Sequence, residues 1–429
     1  MRYLACLKCA LFAVVLLQIA CSDLQESDAQ QADRSAMGSR LTIQSTLGAS
    51  QSVAGYRSAD QVAPFNFPVD HGAHPQFRSE WWYMTAVLRE VDQAGLQLPN
   101  GRTFGVQYTL FRQAVQPVDD SVRANGWQSG QVYLAHLALS DVASLQHREA
   151  HRLLRGHPSL AGVQAEPFTA VIDDWRLEER DEWERHQPSV SPAAMPTPGV
   201  RWRLSAHDVA EGFGVELGLH QRWPIVLQGD RGLSHKGPNG ASYYYSIPQM
   251  SARGEVVVGN EVVPVAGEAW FDREWSTSLL EDHLQGWAWF ALNLGPQRSF
   301  MGFKLVRRDG ARDPYDYAAQ FDLDDALEID KSLVSDTFTA LPKRFWQDIE
   351  GYRWPVAWEL GYQQASGERV TLWVEALFDD QLMDKTLIYW EGIVGVFDAP
   401  GGNRVGTGYL EMTGYNQTSQ HEGKQADER

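Results

Sequence analysis

The chain has 429 residues, with 55 acidic and 37 basic side chains and a formal charge of −18 at neutral pH. That balance excludes a general attraction for nucleic-acid backbones or anionic lipid, and the length suits two hydrophobic cores rather than one. All three cysteines (Cys6, Cys9 and Cys21) lie in or at the end of the first segment, which excludes thiol catalysis, cysteine-ligated zinc and disulfides from the rest.

The first predicted element is a leader. Arg2 and Lys8 flank the start of an apolar run that ends at Leu17. The run is shorter than the roughly 20 residues that span a bilayer and suits a cleavable signal peptide. Ala20 before Cys21 has the form of a lipoprotein processing site, so residues 1–20 are expected to be removed and Cys21 lipidated. Ser22 follows instead of the aspartate that commonly retains such proteins at the inner membrane, which points to the outer membrane, facing the periplasm. Losing Arg2 and Lys8 leaves 35 basic against 55 acidic side chains, a formal charge of −20. Membrane attachment would therefore come from the lipid anchor alone. Residues 21–58 are polar and small and read as a tether.

From there the chain alternates with period two, the signature of half-buried strands. Phe104, Val106, Tyr108 and Leu110 share one face, as do Tyr133, Ala135, Leu137 and Leu139, and later Phe213, Val215, Leu217 and Leu219. Further strands are predicted at 287–294 and 301–305, and through Leu372, Val374, Ala376 and Phe378. The single short helical candidate is 325–338, and the proline-rich stretch 187–199 reads as a surface loop. No crossover helices are evident, so the fold class is all-β, built of barrels or sandwiches. The domains are set at 59–258 and 259–416, with a tail from 417 to 429.

Clusters of acids and rings carry the candidate chemistry. Asp70, His71, His74, Arg78 and Glu80 crowd against Trp81, Trp82 and Tyr83. They read equally as a pocket mouth, with Glu80 or Asp70 ionisable and Trp82 or Tyr83 stacking on an unsaturated ligand, or as a buried ionic network of the Arg78–Glu80 type that locks a barrel rim. Their alternation does not converge on a metal, and none is assigned. In the second cluster Trp270, Asp272 and Glu274 project from one face of a strand and Phe271, Arg273 and Trp275 from the other. An acid between rings on an inward barrel face is costly unless hydrogen-bonded or protonated, and is suited to donating a proton; Asp272 is the first choice, with a salt-bridged support between the halves as the structural alternative. The run Tyr243–Tyr245 places rings on both faces of an extended segment, with Tyr244 a candidate for bonding a ligand, and His136 stands opposite the continuous apolar face of its strand. Tyr389–Gly392 and 406–415 repeat carboxylates beside rings and read mainly as closing strands. Neither a G-x-S-x-G elbow nor a phosphate-binding glycine loop with Gly-Lys-[Ser/Thr] occurs, so serine-hydrolase and nucleotide chemistry have no support.

The run Asp70-His71-Gly72-x-His74-Pro75-x-Phe77-Arg78-x-Glu80-Trp81-Trp82-Tyr83 resembles the opening signature of the AttH family, lipocalin-like proteins related to carotenoid 1,2-hydratase. Tyr108–Arg112, Ala135-His136, Tyr244-Tyr245-Ser246-x-Pro248, Trp270–Ser276, Gly286–Phe290, Tyr389–Gly392 and Gly408–Tyr415 extend the resemblance in order. It implies two lipocalin-like β-barrel domains packed side by side. Many members are named secreted hydrolases, and fungal relatives resemble pericyclase-type enzymes. The hydratase branch adds water to a terminal isoprenoid double bond without a cofactor. Its functional aromatic-x-aspartate element corresponds to Trp270-x-Asp272; where that branch has a histidine and a tryptophan just before, this chain offers Ser242 and Tyr244.

The expected function is binding, and cofactor-free hydration or cyclisation, of a hydrophobic unsaturated or isoprenoid-like small molecule. Asp272 would donate the proton, Glu80 or Tyr244 would orient water or ligand, and Trp82 and Trp270 would stabilise cationic character. Asp70, His71, His136 and Glu274 complete the expected ligand contacts. A hydrophobe carrier without turnover and an envelope assembly or export accessory are the alternatives, and whether the protein is an enzyme is left open.

Overall fold

The structure, a computed structural model, describes residues 54–416 apart from 118–128, 181–198, 279, 325 and 327. The leader, Cys21, most of the tether, nearly all of the proline-rich stretch and the tail from 417 lie outside the described residues. Among those described, no helix is long and apolar enough to cross a membrane.

The alternating stretches form two successive antiparallel sheets. The first comprises β1 (Ser79–Glu90), β2 (Thr103–Ala114), β3 (Gln131–Asp141), β4 (Gln146–Arg155), β5 (Ala161–Ala165), β6 (Phe168–Ile172) and β7 (Trp175–Glu179). It continues through β8 (Arg201–Asp208), β9 (Phe213–Gln221), β10 (Val226–Leu227), β11 (Leu233–His235), β12 (Ala241–Val258) and β13 (Glu261–Ser276). The second begins with β14 (Leu284–Asn293), β15 (Arg298–Arg307), β16 (Tyr317–Leu323), β17 (Ile329–Leu333) and β18 (Thr339–Gln347). It ends with β19 (Arg353–Gln363), β20 (Arg369–Ala376), β21 (Leu382–Met383), β22 (Tyr389–Phe397) and β23 (Arg404–Met412).

Each sheet curls into a lipocalin-like barrel by the same rule, with its first strand paired to its last: β1 to β13, and β14 to β23. The remaining edges, β4 and β5 in one barrel and β17 and β18 in the other, are neighbours in the chain. A turn bonded between His157 and Ala161 carries the chain from β4 to β5. Arg152 of β4 spans the gap, reaching Asp208 at 2.8 Å and lying 4.4 Å over the Trp175 ring. Closure leaves few strand edges open to other chains. At Gly267 a Cβ would stand 2.0 Å from the Val87 carbonyl oxygen, so only glycine lets β13 lie this close to β1.

The predicted faces are the observed ones. Phe104, Val106, Tyr108 and Leu110 point into the first barrel with Ala135, Leu137, Leu139, Val215 and Leu217. Trp82, Trp175 and Trp202 fill its middle, and Trp354, Trp358 and Trp390 fill the second barrel. Buried aliphatic and aromatic side chains pack both interiors.

Two expectations are corrected. The helical candidate at 325–338 is β17 followed by a 3-10 turn at Ser335–Thr337; pairing of Ile329–Leu333 with β16 overrides weak local helical preference. The seam set between 258 and 259 moves to the link between Ser276 and Leu284. The hairpin turn after β12 resembles a boundary in sequence, yet β13 pairs with both β12 and β1 and so belongs to the first barrel.

Candidate functional site

On β1, β12 and β13, side chains of one parity fill the first barrel, and those of the other parity meet the second barrel. Tyr83, Tyr244 and Trp270 of the first barrel pack in one buried cluster with Trp289, Phe303, Phe321, Ile393 and Tyr409 of the second. Asp272 thus lies on the outer face of its barrel and not, as an inward-facing reading would have it, in the lumen. It is buried because the second barrel covers it.

Within this contact lies a pocket of about 60 Å³. The first barrel supplies Trp81, Tyr83, Thr109, Phe111, Lys236, Tyr244, Asp272 and Glu274; the second supplies Trp287, Trp289, Phe303, Leu305, Tyr389 and Glu411. A larger hollow of about 440 Å³ lies at the rim of the first barrel beside Asp70, His74 and Trp275. There Asp70 and His74 are already paired with one another, so the inter-barrel pocket is the stronger candidate.

Asp272 accepts three hydrogen bonds. Ser246 and the Trp270 indole donate to Oδ1 at 2.5 and 2.8 Å, and the Tyr244 hydroxyl donates to Oδ2 at 2.5 Å. Burial nevertheless pushes its carboxyl up to about 7, the three hydrogen bonds opposing the shift and the neighbouring Glu274 adding to it. Tyr244 is in turn bonded by the Trp289 indole at 3.1 Å, from across the contact. Glu274 is held by Lys236 and Ser242. The Lys236 ammonium lies 5.5 Å over the Tyr244 ring and 5.3 Å over that of Phe303. With Lys236 engaged by Glu274, none of the residues lining the pocket offers Asp272 a cation of its own.

The opposite wall carries acids too. The Tyr83 hydroxyl donates to Glu391 Oε1 at 2.6 Å, while Glu391 Oε2 is buried without a hydrogen-bond partner among the described residues. Burial and the charge of Glu411 raise the Glu391 carboxyl well above its usual range. Glu411 accepts from the Trp287 indole at 2.7 Å and is pushed up to about 7, chiefly by burial. His136 meets Tyr389 at 2.7 Å, and burial holds its ring down to about 3, so it is neutral at physiological pH.

The predicted site residues therefore separate. Asp272, Tyr244, Trp270, Glu274 and His136 come together on the contact between the barrels. Glu80, His71 and Trp82 point into the first barrel, on the opposite side of the sheet from Asp272, and Asp70 lies at its rim. Glu80 is fully buried between Arg112 and Arg273, and its carboxyl lies far below the usual range because both guanidinium groups outweigh burial. Arg273 and Arg112 also bond the carbonyls of Gly72 and Phe77, each at 2.7 Å, and Arg273 covers the Trp82 ring at 3.9 Å. His71 bonds the Tyr245 hydroxyl at 2.6 Å, and the Trp82 indole donates to the His71 carbonyl at 2.7 Å. This cluster plugs the end of the first barrel, the rim-locking alternative of the sequence reading, with Arg112 and Arg273 in place of Arg78. The expected pairing of Glu80 with Asp272 over one ligand does not occur in this geometry.

Sequence reasoning offered Tyr83 as a stacking ring, read Glu391 and Glu411 mainly as parts of closing strands, and missed Lys236, Trp287 and Trp289 as pocket residues. The available signal was the aromatic-x-acid spacing of Tyr409-x-Glu411, the same as that of Trp270-x-Asp272.

No curated protein is similar to this sequence at a significant level. A crystal structure described as an AttH protein from Nitrosomonas europaea is 29% identical, with a TM-score of 0.65, covering 84% of this chain and 99% of that one. Kievitone hydratase from Nectria haematococca is 13% identical, with a TM-score of 0.55 over 84% of this chain and 96% of its own, a likeness of fold alone. The AttH-like family profile matches residues 58–415, and with nearly all of both barrels inside that match, the chain belongs to the AttH-like family.

Proposed function

We propose that the protein binds a hydrophobic, unsaturated small molecule between its barrels and transforms it by protonation from Asp272, without a cofactor. The observation that carries this reading is a buried carboxyl with no cation of its own, facing a pocket walled by indole and phenyl rings. A carboxyl titrating at about 7 still holds its proton in much of the population at neutral pH and is strong enough to release it. In its protonated form Asp272 no longer accepts from all three donors. It then donates to the Tyr244 oxygen or to the pocket, and Tyr244 offers its own proton to the ligand. The faces of Trp81, Trp287 and Trp289 supply electron density to a cation formed by protonating an alkene. The pocket holds about 60 Å³, against roughly 300–1,000 Å³ for a drug-sized ligand, so a polyene enters only as the barrel walls part.

The test is mass spectrometry of small molecules extracted from the natively purified mature protein and from Asp272→Asn. An alkene recovered unmodified from the variant, and hydrated or cyclised from the wild type, is the expected result, with turnover in the variant reduced by roughly 10²–10⁴-fold. The same unchanged molecule in both would make the protein a carrier. No ligand in either would favour an assembly or export role.

We further propose that the protein acts in the cell envelope, anchored by lipid on Cys21 to the outer membrane and facing the periplasm. The leader pattern from Arg2 to Cys21 supports this reading. Cys21→Ser is expected to lose incorporation of labelled fatty acid and to move from the membrane to the soluble fraction; labelling that survives would exclude the anchor.

A further inference from the structure

The two barrels present the same strand positions to each other. In the first, Asp272 on the last strand lies opposite Tyr83 of the first strand and Ser246 of the penultimate long strand. In the second, Glu411 on the last strand lies opposite Trp289 of the first strand and Glu391 of the penultimate strand. Two residues earlier on each strand the correspondence continues, with Trp81 and Trp287 on the first strands and Tyr244 and Tyr389 on the penultimate ones.

Contacts across the interface follow this pseudo-two-fold relation to within one step along the strand face: strict equivalence would pair Trp289 with Ser246, the counterpart of Glu391, whereas Trp289 bonds Tyr244, two residues away. Tyr83 reaches over to Glu391 of the second barrel, and its counterpart Trp289 reaches over to Tyr244 of the first. The rings of Tyr83 and Trp289 meet edge to face with centroids 5.2 Å apart, so the pseudo-axis runs between them. In such an isologous contact each patch meets the equivalent patch of its partner. Asp272 and Glu411 are therefore equivalent groups on opposite walls of one pocket.

They differ in what holds them. Both oxygens of Asp272 are engaged, whereas among the described residues Glu411 has a protein donor on Oε1 alone and lines the pocket. The charged and titratable groups around the pair are Tyr83 on β1, Lys236 on the segment leading to β12, Tyr244 on β12, Glu274 on β13, and Tyr389 and Glu391 on β22. Lys236 is the sole cation of this set, and Glu274 occupies it.

We propose that Asp272 and Glu411 form one acid–base pair sharing a single proton across the pocket, so that Glu411 accepts a proton while Asp272 donates one. This rests on the reading of Asp272 as the donor and adds the acceptor. For hydration, the Asp272 proton forms a C–H bond with one alkene carbon and leaves a cation on the other. Water oxygen bonds to that cation, and the proton it sheds goes to the Glu411 carboxylate. The proton then returns to Asp272 through pocket water, and the net change is alkene plus water to alcohol.

The pair is testable on the unliganded protein by infrared titration of the protonated-carboxyl band in wild type, Asp272→Asn and Glu411→Gln. The variant difference spectra assign a band to each residue. Loss of Glu411 is expected to lower the Asp272 midpoint by about one pH unit or more, since a like charge is removed. Loss of Asp272 lowers the Glu411 midpoint by the same amount, because coupling is reciprocal. Midpoints that do not move overturn the pair while leaving a titrating Asp272 as donor. An Asp272 band absent at all but strongly acid pH overturns the donor itself, and the pair with it.

Discussion

Glu80→Gln is expected to destabilise the protein by roughly 3–5 kcal/mol, the usual cost of leaving a buried charge without its partner. Arg112 and Arg273 are both almost completely buried and share this one carboxylate. Glutamine keeps the shape of the side chain and removes the charge, so two guanidinium groups would remain desolvated against a neutral amide. The bonds from these arginines to Gly72 and Phe77 would loosen with it, and with them the segment that closes the end of the first barrel. The pH dependence has a definite sign. The Glu80 carboxyl titrates far below its usual value in the fold, so its contribution is complete above about 4.5 and is lost as pH falls below that point. Urea denaturation of wild type and Glu80→Gln should therefore differ most at neutral pH and converge under acid conditions. An unchanged denaturation midpoint, accompanied by lost turnover, would instead place Glu80 in the chemistry.

The opposite fates of Glu80 and Asp272 show what the sequence can and cannot carry. Period-two alternation was enough to predict the strands and their faces, because each strand buries one face in a barrel. It was also enough to place Asp272 opposite Arg273. What alternation lacks is the identity of the surface each face meets. The parity of Trp270, Asp272 and Glu274 reads as inward until the second barrel is seen to cover them. The cluster from Asp70 to Tyr83 is denser in ionisable groups and drew the candidate roles of Glu80, His71 and Trp82. Its charges are matched by Arg112 and Arg273, which stand more than thirty and nearly two hundred residues from Glu80 in the chain. A carboxylate with two such partners is locked; one with none is available for proton transfer. That distinction depends on contacts between distant strands and is absent from local spacing. Glu411 was legible in part, since its spacing from Tyr409 repeats that of Asp272 from Trp270, but its place facing Asp272 follows only from how the barrels meet.

Asp272→Asn is expected to stabilise the fold at alkaline pH even as it removes the proton donor. The folded carboxyl titrates at about 7, against about 3.9 for an unperturbed aspartate. Between these values the folded protein keeps a proton that the unfolded chain has released, so this group makes the fold less stable as pH rises from about 4 to about 7. The full penalty, on the order of 2–4 kcal/mol, applies above that window, and asparagine does not incur it. Glu411 contributes with the same sign and remains in the variant. His71, His136 and His147 act oppositely: burial depresses their pKa values to between about 3 and about 4, so their contribution is lost as pH falls below about 6.5. The wild-type curve mixes these terms; the difference between variant and wild type removes the histidines and leaves Asp272 together with its coupling to Glu411. Urea denaturation across this range should show the variant's advantage growing up to about pH 7 and levelling beyond it. Parallel curves would mean that Asp272 is already ionised at neutral pH and has no proton to give. A growing difference would show that the fold carries at this position a group it would be more stable without, as expected for a residue kept for its reactivity rather than its packing.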